Sequence, residues 1–398
     1  MKVLPIPSII FILILSLLLC SCQSSYVLLP THTEMSSNLF IDESFKSSQM
    51  LPIETEEEIF KLDSDMLAMV KQKLVNGHSA RYKARVLLEH IFNNENMSLQ
   101  YEGNANVTAS QAYHSQTANC MSLTIMAYAL ADEAGLNVRF QQVDVPEYWV
   151  RNGEYNMLTG HVNLVVREHD LDDRNIVWGE KSMQIDFDPY VAKEYFPKKF
   201  IKKNTVLAMF YNNKGAEALV KQDYSVAYSY FKEAIKQDEF FSSAWGNLGV
   251  LYRFTEHYAE ADKVYRHTLS LQSDNLTALT NLALLLKDQG QLIEVQKIED
   301  YLHGIRKSNP YYYALLADEA FYRKDYSEAE EHYRKAIKLD ENRHEFHFGL
   351  AKVYYMQNRL SAAKRSMKQA IKLNRVKSTN RQYIAKLSFL KQPGVHLN

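Results

Sequence analysis

Apolar residues recur along this chain with two different periods, and the change falls near residue 200. Upstream the pattern is mixed. Met66, Val70 and Leu74 keep the i, i+4 spacing of one helix face, and Val86, Leu87 and Ile91 form a second stripe. The stretch from Asn94 to Ser115 is polar and turn-rich. A helix is predicted to start at Asn119-Cys120 and run to Ala134, with Gly135 as its stop. Asn137–Val145, His161–Arg167 and Lys181–Asp188 read as strands, so residues 54–200 are expected to form an α+β domain. Residues 22–53 carry scattered serines, Pro30 and Pro52 without sustained periodicity, and read as a flexible tether.

Beyond Phe200 the strands vanish and a 34-residue period takes over. Ala227, Ala261, Ala329 and Ala363 form one column, with Val295 in the missing place. Gly215, Gly249, Ala283, Ala317 and Ala351 form a second. Phe231, Tyr265, Tyr333 and Met367 form a third, which Glu299 interrupts. Small residues facing aromatic ones at fixed spacing are what two closely packed helices of a repeated hairpin require. The columns resemble those of the tetratricopeptide repeat, and Trp245-Gly246-Asn247-Leu248-Gly249-Val250-Leu251-Tyr252 is the best-matching stretch. Frames beginning near 208, 242, 276, 310 and 344 give five repeats over 208–377, followed by a capping helix and tail over 378–398. The resemblance implies an all-α superhelix whose inner groove takes a protein or peptide partner. Asn213, Asn247 and Asn281 share a column on the first helix of three repeats, which the resemblance turns toward that groove.

At the other end, Lys2 is followed by an apolar run, Ile9–Leu19, and then Cys20-Ser21-Cys22. A charged start, a short apolar core and a small residue before a cut site mark a secretory signal. The run is shorter than the roughly 20 residues a spanning helix needs. Leu19-Cys20-Ser21-Cys22 resembles a bacterial lipobox. That resemblance makes residues 1–21 a signal peptide and Cys22 the lipidated first residue, with Gln23 directing the protein to the outer membrane, facing the periplasm.

Net charge is −1, which gives no electrostatic case for nucleic acid. There are three cysteines. With Cys20 removed and Cys22 lipidated, Cys120 is left as a single thiol, so a disulfide framework is excluded. No paired His or Cys spacing suggests a zinc site, and no Gly-rich phosphate loop is present. No metal or cofactor is expected. His114, His169 and the acidic group Asp170, Asp172 and Asp173 read as surface residues.

A lone cysteine at a helix start is either a small buried residue or a nucleophile. Its surroundings bear on the choice. Asn119-Cys120-Met121-Ser122-Leu123, then Ala131-Asp132-Glu133-Ala134-Gly135-Leu136, Gly160-His161-Val162-Asn163 and Ile185-Asp186-Phe187-Asp188-Pro189 resemble the bacterial transglutaminase-like, papain-related fold over roughly residues 80–190. Ala118 stands where many members have Gly, and Val162 where an aromatic follows the His. The resemblance implies a thiol opening a helix, a His opening a strand and an Asp on the next strand. Physical chemistry asks for the same set: a helix N-terminus to favour thiolate, an imidazole to carry the proton, and a carboxylate to fix the imidazole. Asp186 and Asp188 share a strand face. Asp186 is favoured as the orienting carboxylate and Asp188 is its rival. Gln116, Tyr113 and the Cys120 backbone N–H are the candidate oxyanion donors.

These readings point to an exported cysteine peptidase or amidase, or an acyltransferase, with a peptide-binding array. The alternative is an inactive scaffold lipoprotein of the envelope. Iodoacetamide labelling across pH, and a Cys120→Ala strain against one lacking residues 208–377, separate the two.

Overall fold

The computed structural model describes residues 36–50, 52–74, 79–93, 100–103, 105–147, 149–152, 155–158, 160–167, 182–187, 196–374 and 377–389. The signal run, Cys22, His169, the acidic group at 170–173, Asp188 and Pro189 lie outside them.

The mixed domain opens with three helices, α1 (Glu56–Phe60), α2 (Ser64–Lys73) and α3 (Ala80–Asn93). Thr55 and Glu58 make a reciprocal capping box on α1, and the Asp63 carboxylate accepts from the Asp65 and Met66 N–H groups at the start of α2. Met66, Val70, Leu74, Leu87 and Ile91 are buried, as both apolar stripes require. The polar stretch that follows is not all turn. It contains β1 (Gln100–Tyr101) and α4 (Ala109–Ser115), and just beyond it β2 (Thr117–Ala118) pairs with β1 in parallel. Thr108 and Gln111 form a capping box on α4; that S/T-x-x-E/Q spacing is the signal in the sequence for this helix.

Next comes α5 (Cys120–Glu133), the helix around which the domain packs. It is apolar almost all round, and Leu123, Ile125, Met126, Ala127, Leu130 and Ala131 are buried. Asn119 caps its start by accepting from Ser122 N–H at 2.9 Å. Gly135, at φ +70°, ends it, and Leu136 N–H reaches back to the Ala131 carbonyl at 3.0 Å. The chain then enters β3 (Asn137–Val143), leaves for a hairpin of β4 (Trp149–Asn152) and β5 (Tyr155–Leu158), and returns as β6 (His161–Arg167). With β7 (Ser182–Ile185) and β8 (Lys198–Ile201) these make an antiparallel sheet in the order β7-β6-β3-β8, apart from the β4–β5 pair. The three expected strands are present, two of them shorter than the sequence pattern. The hairpin and β8 are additions. Thr124 Oγ1 donates to the Val162 carbonyl at 3.1 Å and ties α5 to β6.

One residue, Lys202, separates β8 from α6 (Lys203–Val220), so domain and array join without a linker. The five hairpins are α6 with α7 (Tyr224–Gln237), α8 (Ser242–Phe254) with α9 (Tyr258–Leu271), α10 (Leu276–Asp288) with α11 (Leu292–Arg306), α12 (Pro310–Tyr322) with α13 (Tyr326–Leu339), and α14 (His344–Met356) with α15 (Leu360–Leu373). The final helix, α16 (Lys377–Phe389), packs Tyr383 flat on Phe348 with ring centroids 4.6 Å apart. With sixteen α-helices among the described residues, the chain is mostly helical.

Columns become contacts. A Cβ on Gly215 would lie 2.6 Å from the Phe231 ring, and one on Gly249 would lie 2.5 Å from Tyr265. The first helices must therefore carry no side chain where the aromatic column presses on them. A further column, which sequence reading misses, sits in the turns: Gln222, Glu256, Gly290, Lys324 and Asn358 all have φ between 58° and 74°. A single glycine among five hides it. The third hairpin departs from its siblings at the position of Glu299, which is exposed, while its neighbour Ile298 is buried with Val295 and Leu302.

The segment read as a tether is corrected from Leu39 onward. Leu39 and Phe45 are buried against the array. Phe45 stacks on Tyr228 at 4.4 Å, Tyr252 Oη donates to the Leu39 carbonyl at 2.9 Å, and Tyr228 Oη donates to Asp42 at 2.8 Å. Phe40 also stacks on Trp245 at 5.5 Å, but of the segment's described residues only Leu39 and Phe45 are buried and apolar, six positions apart, which is too little to set up a helical or strand period. The apolar core runs unbroken from this segment through the mixed domain to Leu302 in the third hairpin; a second cluster starts at Tyr313 and joins the last two hairpins, and a third joins Ala351, Met367 and Ala370 of the fifth hairpin to Tyr383 and Leu387 of the final helix.

Candidate functional site

Three side chains far apart in sequence meet at the edge of the sheet. Cys120 is the first residue of α5, half-buried, at the end where helix N–H groups favour negative charge. His161 is the first residue of β6 and is buried. The register Leu164↔Ile185 brings Asp186 level with Asn163, one step diagonal from His161. His161 Nε2 lies 2.8 Å from Asp186 Oδ1, and both side chains are nearly inaccessible. Asp186 sits just past the end of β7 rather than within it.

Nε2 is taken by the carboxylate, so Nδ1 is the ring nitrogen left for the Cys120 sulfur, with which His161 also shares a side-chain hydrogen bond. Burial pushes the imidazole toward its neutral form. The hydrogen bonds of the ring to Asp186 and Cys120, with the field of both groups, outweigh burial and raise the pKa to about 9. The ring therefore stays charged through neutral pH.

Two residues given no role by the sequence reading complete the setting. Asn163 Nδ2 donates to Asp186 Oδ2 at 2.8 Å, and Gln184 Nε2 donates to the same oxygen at 3.1 Å. Lys198 Nζ in turn donates to Gln184 Oε1 at 2.7 Å. Three donors hold one carboxylate, so its plane is fixed before any substrate arrives. The period-2 rule could have found both, since Asn163 follows His161 by two and Gln184 precedes Asp186 by two.

The other expected residues are placed as follows. Asp188 lies outside the described residues. Gln116 ends α4 in a left-handed conformation, φ 54°, four residues before the thiol. Tyr113 directs its hydroxyl to His90 Nε2 at 3.4 Å. Asn247 Nδ2 donates to Asn212 Oδ1 at 2.8 Å, and Asn281 Nδ2 donates to the Thr277 carbonyl of its own helix at 3.0 Å. Asn213 is half-buried. Elsewhere Asp63, Asp65 and His114 lie close enough to hold a cation. The Asp63 carboxylate there is already engaged by the start of α2, Ser110 and His114, and these contacts outweigh its desolvation and hold it down at about 2.

Comparison with known proteins supports the array. A family model described as a tetratricopeptide repeat matches residues 242–275, the second hairpin, and one described as a TPR repeat matches residues 317–358. The chain carries tetratricopeptide repeats. Among curated proteins, the N-terminal acetyltransferase A complex auxiliary subunit NAA15 of Arabidopsis thaliana is 32% identical over 109 residues, 27% of this chain. The match spans 12% of that relative's length. Solved structures similar to this chain include MamA from Desulfovibrio magneticus RS-1 (17% identical, 43% of this chain and 96% of that one, TM-score 0.26). Pseudomonas aeruginosa pilF is another (19%, 47% and 91%, TM-score 0.27). A third is a thermophilic TPR protein of Thermus thermophilus (15%, 46% and 99%, TM-score 0.31).

Proposed function

We propose that this protein is an exported cysteine hydrolase of transglutaminase-like fold, a peptidase or amidase, whose repeat array brings the protein substrate or a regulator. The observation that carries the reading is the His161 ring held between the Cys120 sulfur and the braced Asp186 carboxylate. A buried imidazolium beside sulfur is the charge partner a thiolate nucleophile needs. Attack on an amide carbonyl forms a Cys120 thioester, with the His161 proton passing to the leaving amine. A water then gives its proton back to His161, adds to the thioester carbon and releases the acid with the thiol restored. Where an amine replaces that water, the same site performs acyl transfer. The backbone N–H of Cys120 and the Gln116 side chain are the oxyanion donors of this reading, and Asp188 remains the rival carboxylate.

A p-nitrophenyl ester tests it. The wild-type protein is expected to show a burst and an acyl mass shift on Cys120 that Cys120→Ala lacks. Equal slow turnover by both proteins would leave an array without an enzyme.

The reading includes a lipid anchor at Cys22 and residence in the outer membrane facing the periplasm. No helix among the described residues is long and apolar enough to cross a membrane. Cells fed radiolabelled palmitate are expected to label the wild-type protein and not Cys22→Ala; label on both would remove the anchor from the proposal.

A further inference from the structure

Arg306 is the last residue of α11 in the array, yet its guanidinium is buried and turned to the mixed domain. It forms a bidentate pair with Glu147, Nε to Oε2 at 2.8 Å and Nη2 to Oε1 at 2.9 Å. Its Nη1 donates to Thr280 Oγ1 on α10 at 3.0 Å, and Asn309 Nδ2 donates to the Glu147 backbone carbonyl at 2.8 Å. Array residues thus grip both the side chain and the main chain of one residue. A two-point carboxylate–guanidinium fork fixes direction as well as distance.

The place of Glu147 in the sheet gives this grip a consequence. Glu147 lies four residues beyond Val143, the last residue of β3. Val143 pairs with His161 in the final rung of the β3–β6 ladder. On the other side of β6 the ladder to β7 has already stopped at Leu164↔Ile185. Among the described pairs, the His161 backbone is paired at a strand end from the β3 side alone, and such ends fray. Val143 is also paired with Lys198 of β8, and just past that rung the chain is secured by Asp144 N–H to the Pro197 carbonyl at 2.8 Å, Val145 N–H to the Val143 carbonyl at 3.1 Å, and the clamp on Glu147.

We propose that Arg306 is a positioning residue for His161: by clamping Glu147 it pins the exit of β3 and so holds the rung on which His161 sits. The reactivity of the candidate site then depends on an array residue 145 positions away from it in sequence, His161 to Arg306. The inference rests on the cysteine hydrolase reading above.

The test compares the wild-type protein, His161→Ala, the double variant Glu147→Gln/Arg306→Met, and Asn309→Asp. The double variant removes both charges together and leaves no buried ion unpaired. Asn309→Asp keeps a residue able to cap α12 while removing the donor to the Glu147 carbonyl. Amide hydrogen exchange of residues 143–147 and the pH profile of Cys120 alkylation by iodoacetamide are measured for each. Both clamp variants are expected to exchange in this segment about tenfold faster and to lose about fivefold of the alkylation rate near pH 6. If the wild-type and His161→Ala profiles coincide, the enzyme reading fails and takes the inference with it. If those two differ while both clamp variants keep the wild-type profile, the positioning role alone is overturned.

Discussion

His161→Ala is expected to slow iodoacetamide labelling of Cys120 near pH 6 by about thirtyfold or more, and to bring the rate at high pH close to that of the wild-type protein. An ordinary thiol with a pKa of about 8.5 is roughly 0.3% ionised at pH 6. A positively charged imidazole beside a sulfur is the electrostatic partner that thiol activation uses. His161 keeps that charge up to about pH 9. Alanine removes the charge and leaves the helix N-terminus as the remaining local support for thiolate. The same substitution removes the acid that protonates the leaving amine, so turnover of an amide is expected to fall by about a thousandfold or more. Labelling rates of the two proteins that superimpose from pH 5 to pH 9 would mean that His161 does not charge the sulfur's surroundings.

The second expectation concerns stability. His161 titrates near 6.5 in an unfolded chain and at about 9 in the folded one. Its folded value is raised, so the stabilisation is fully present below pH 6.5, shrinks as pH rises, and is gone above about 9. The difference corresponds to about 3 kcal/mol. Asp186→Asn removes the buried carboxylate that supplies the largest favourable contribution. It is expected to cost about 3 kcal/mol near pH 6 and much less near pH 9.5. Urea unfolding of both proteins at the two pH values reads this directly. A constant gap between them would show that the Asp186–His161 pair is not the linked group.

Most of the array was legible because its constraint is local and repeated. Gly249 and Tyr265 must be a small and a large residue 16 positions apart whatever the rest of the chain does, and the same demand recurs every 34 residues. The start of α5 was legible for a similar reason, since Asn119 as cap and Gly135 as stop are chemical signals that act within one turn. Asp186 was singled out, but its bracing by Asn163 and Gln184 was not. The period-2 spacing puts Asn163 on the face of His161 and Gln184 on the face of Asp186, but which of them meet is set only by the register of β6 against β7. The docked segment around Phe45 failed for the opposite reason. Its anchors are tertiary contacts to Tyr228 and Tyr252, far along the chain, and the segment has no period to reveal them. The β4–β5 hairpin lacks a sustained alternation, but the Asn152-Gly153 dipeptide where β4 ends is a hairpin signal that the sequence reading passed over.

The gap in the hydrocarbon core between Leu302 and Tyr313 changes how the solenoid holds together. In a stack of repeats, cooperativity passes from neighbour to neighbour, and each interface sets its own coupling strength. At this break Glu147 of the mixed domain bridges Arg306, at the end of the third hairpin, and Asn309, at the start of the fourth, and Arg306 lies 6.0 Å from the centre of the Tyr312 ring. A buried bidentate pair is screened little by salt, so this link is expected to persist at ionic strengths that remove surface ion pairs. Because the apolar core breaks here, the C-terminal hairpins are expected to unfold as a block distinct from the first three.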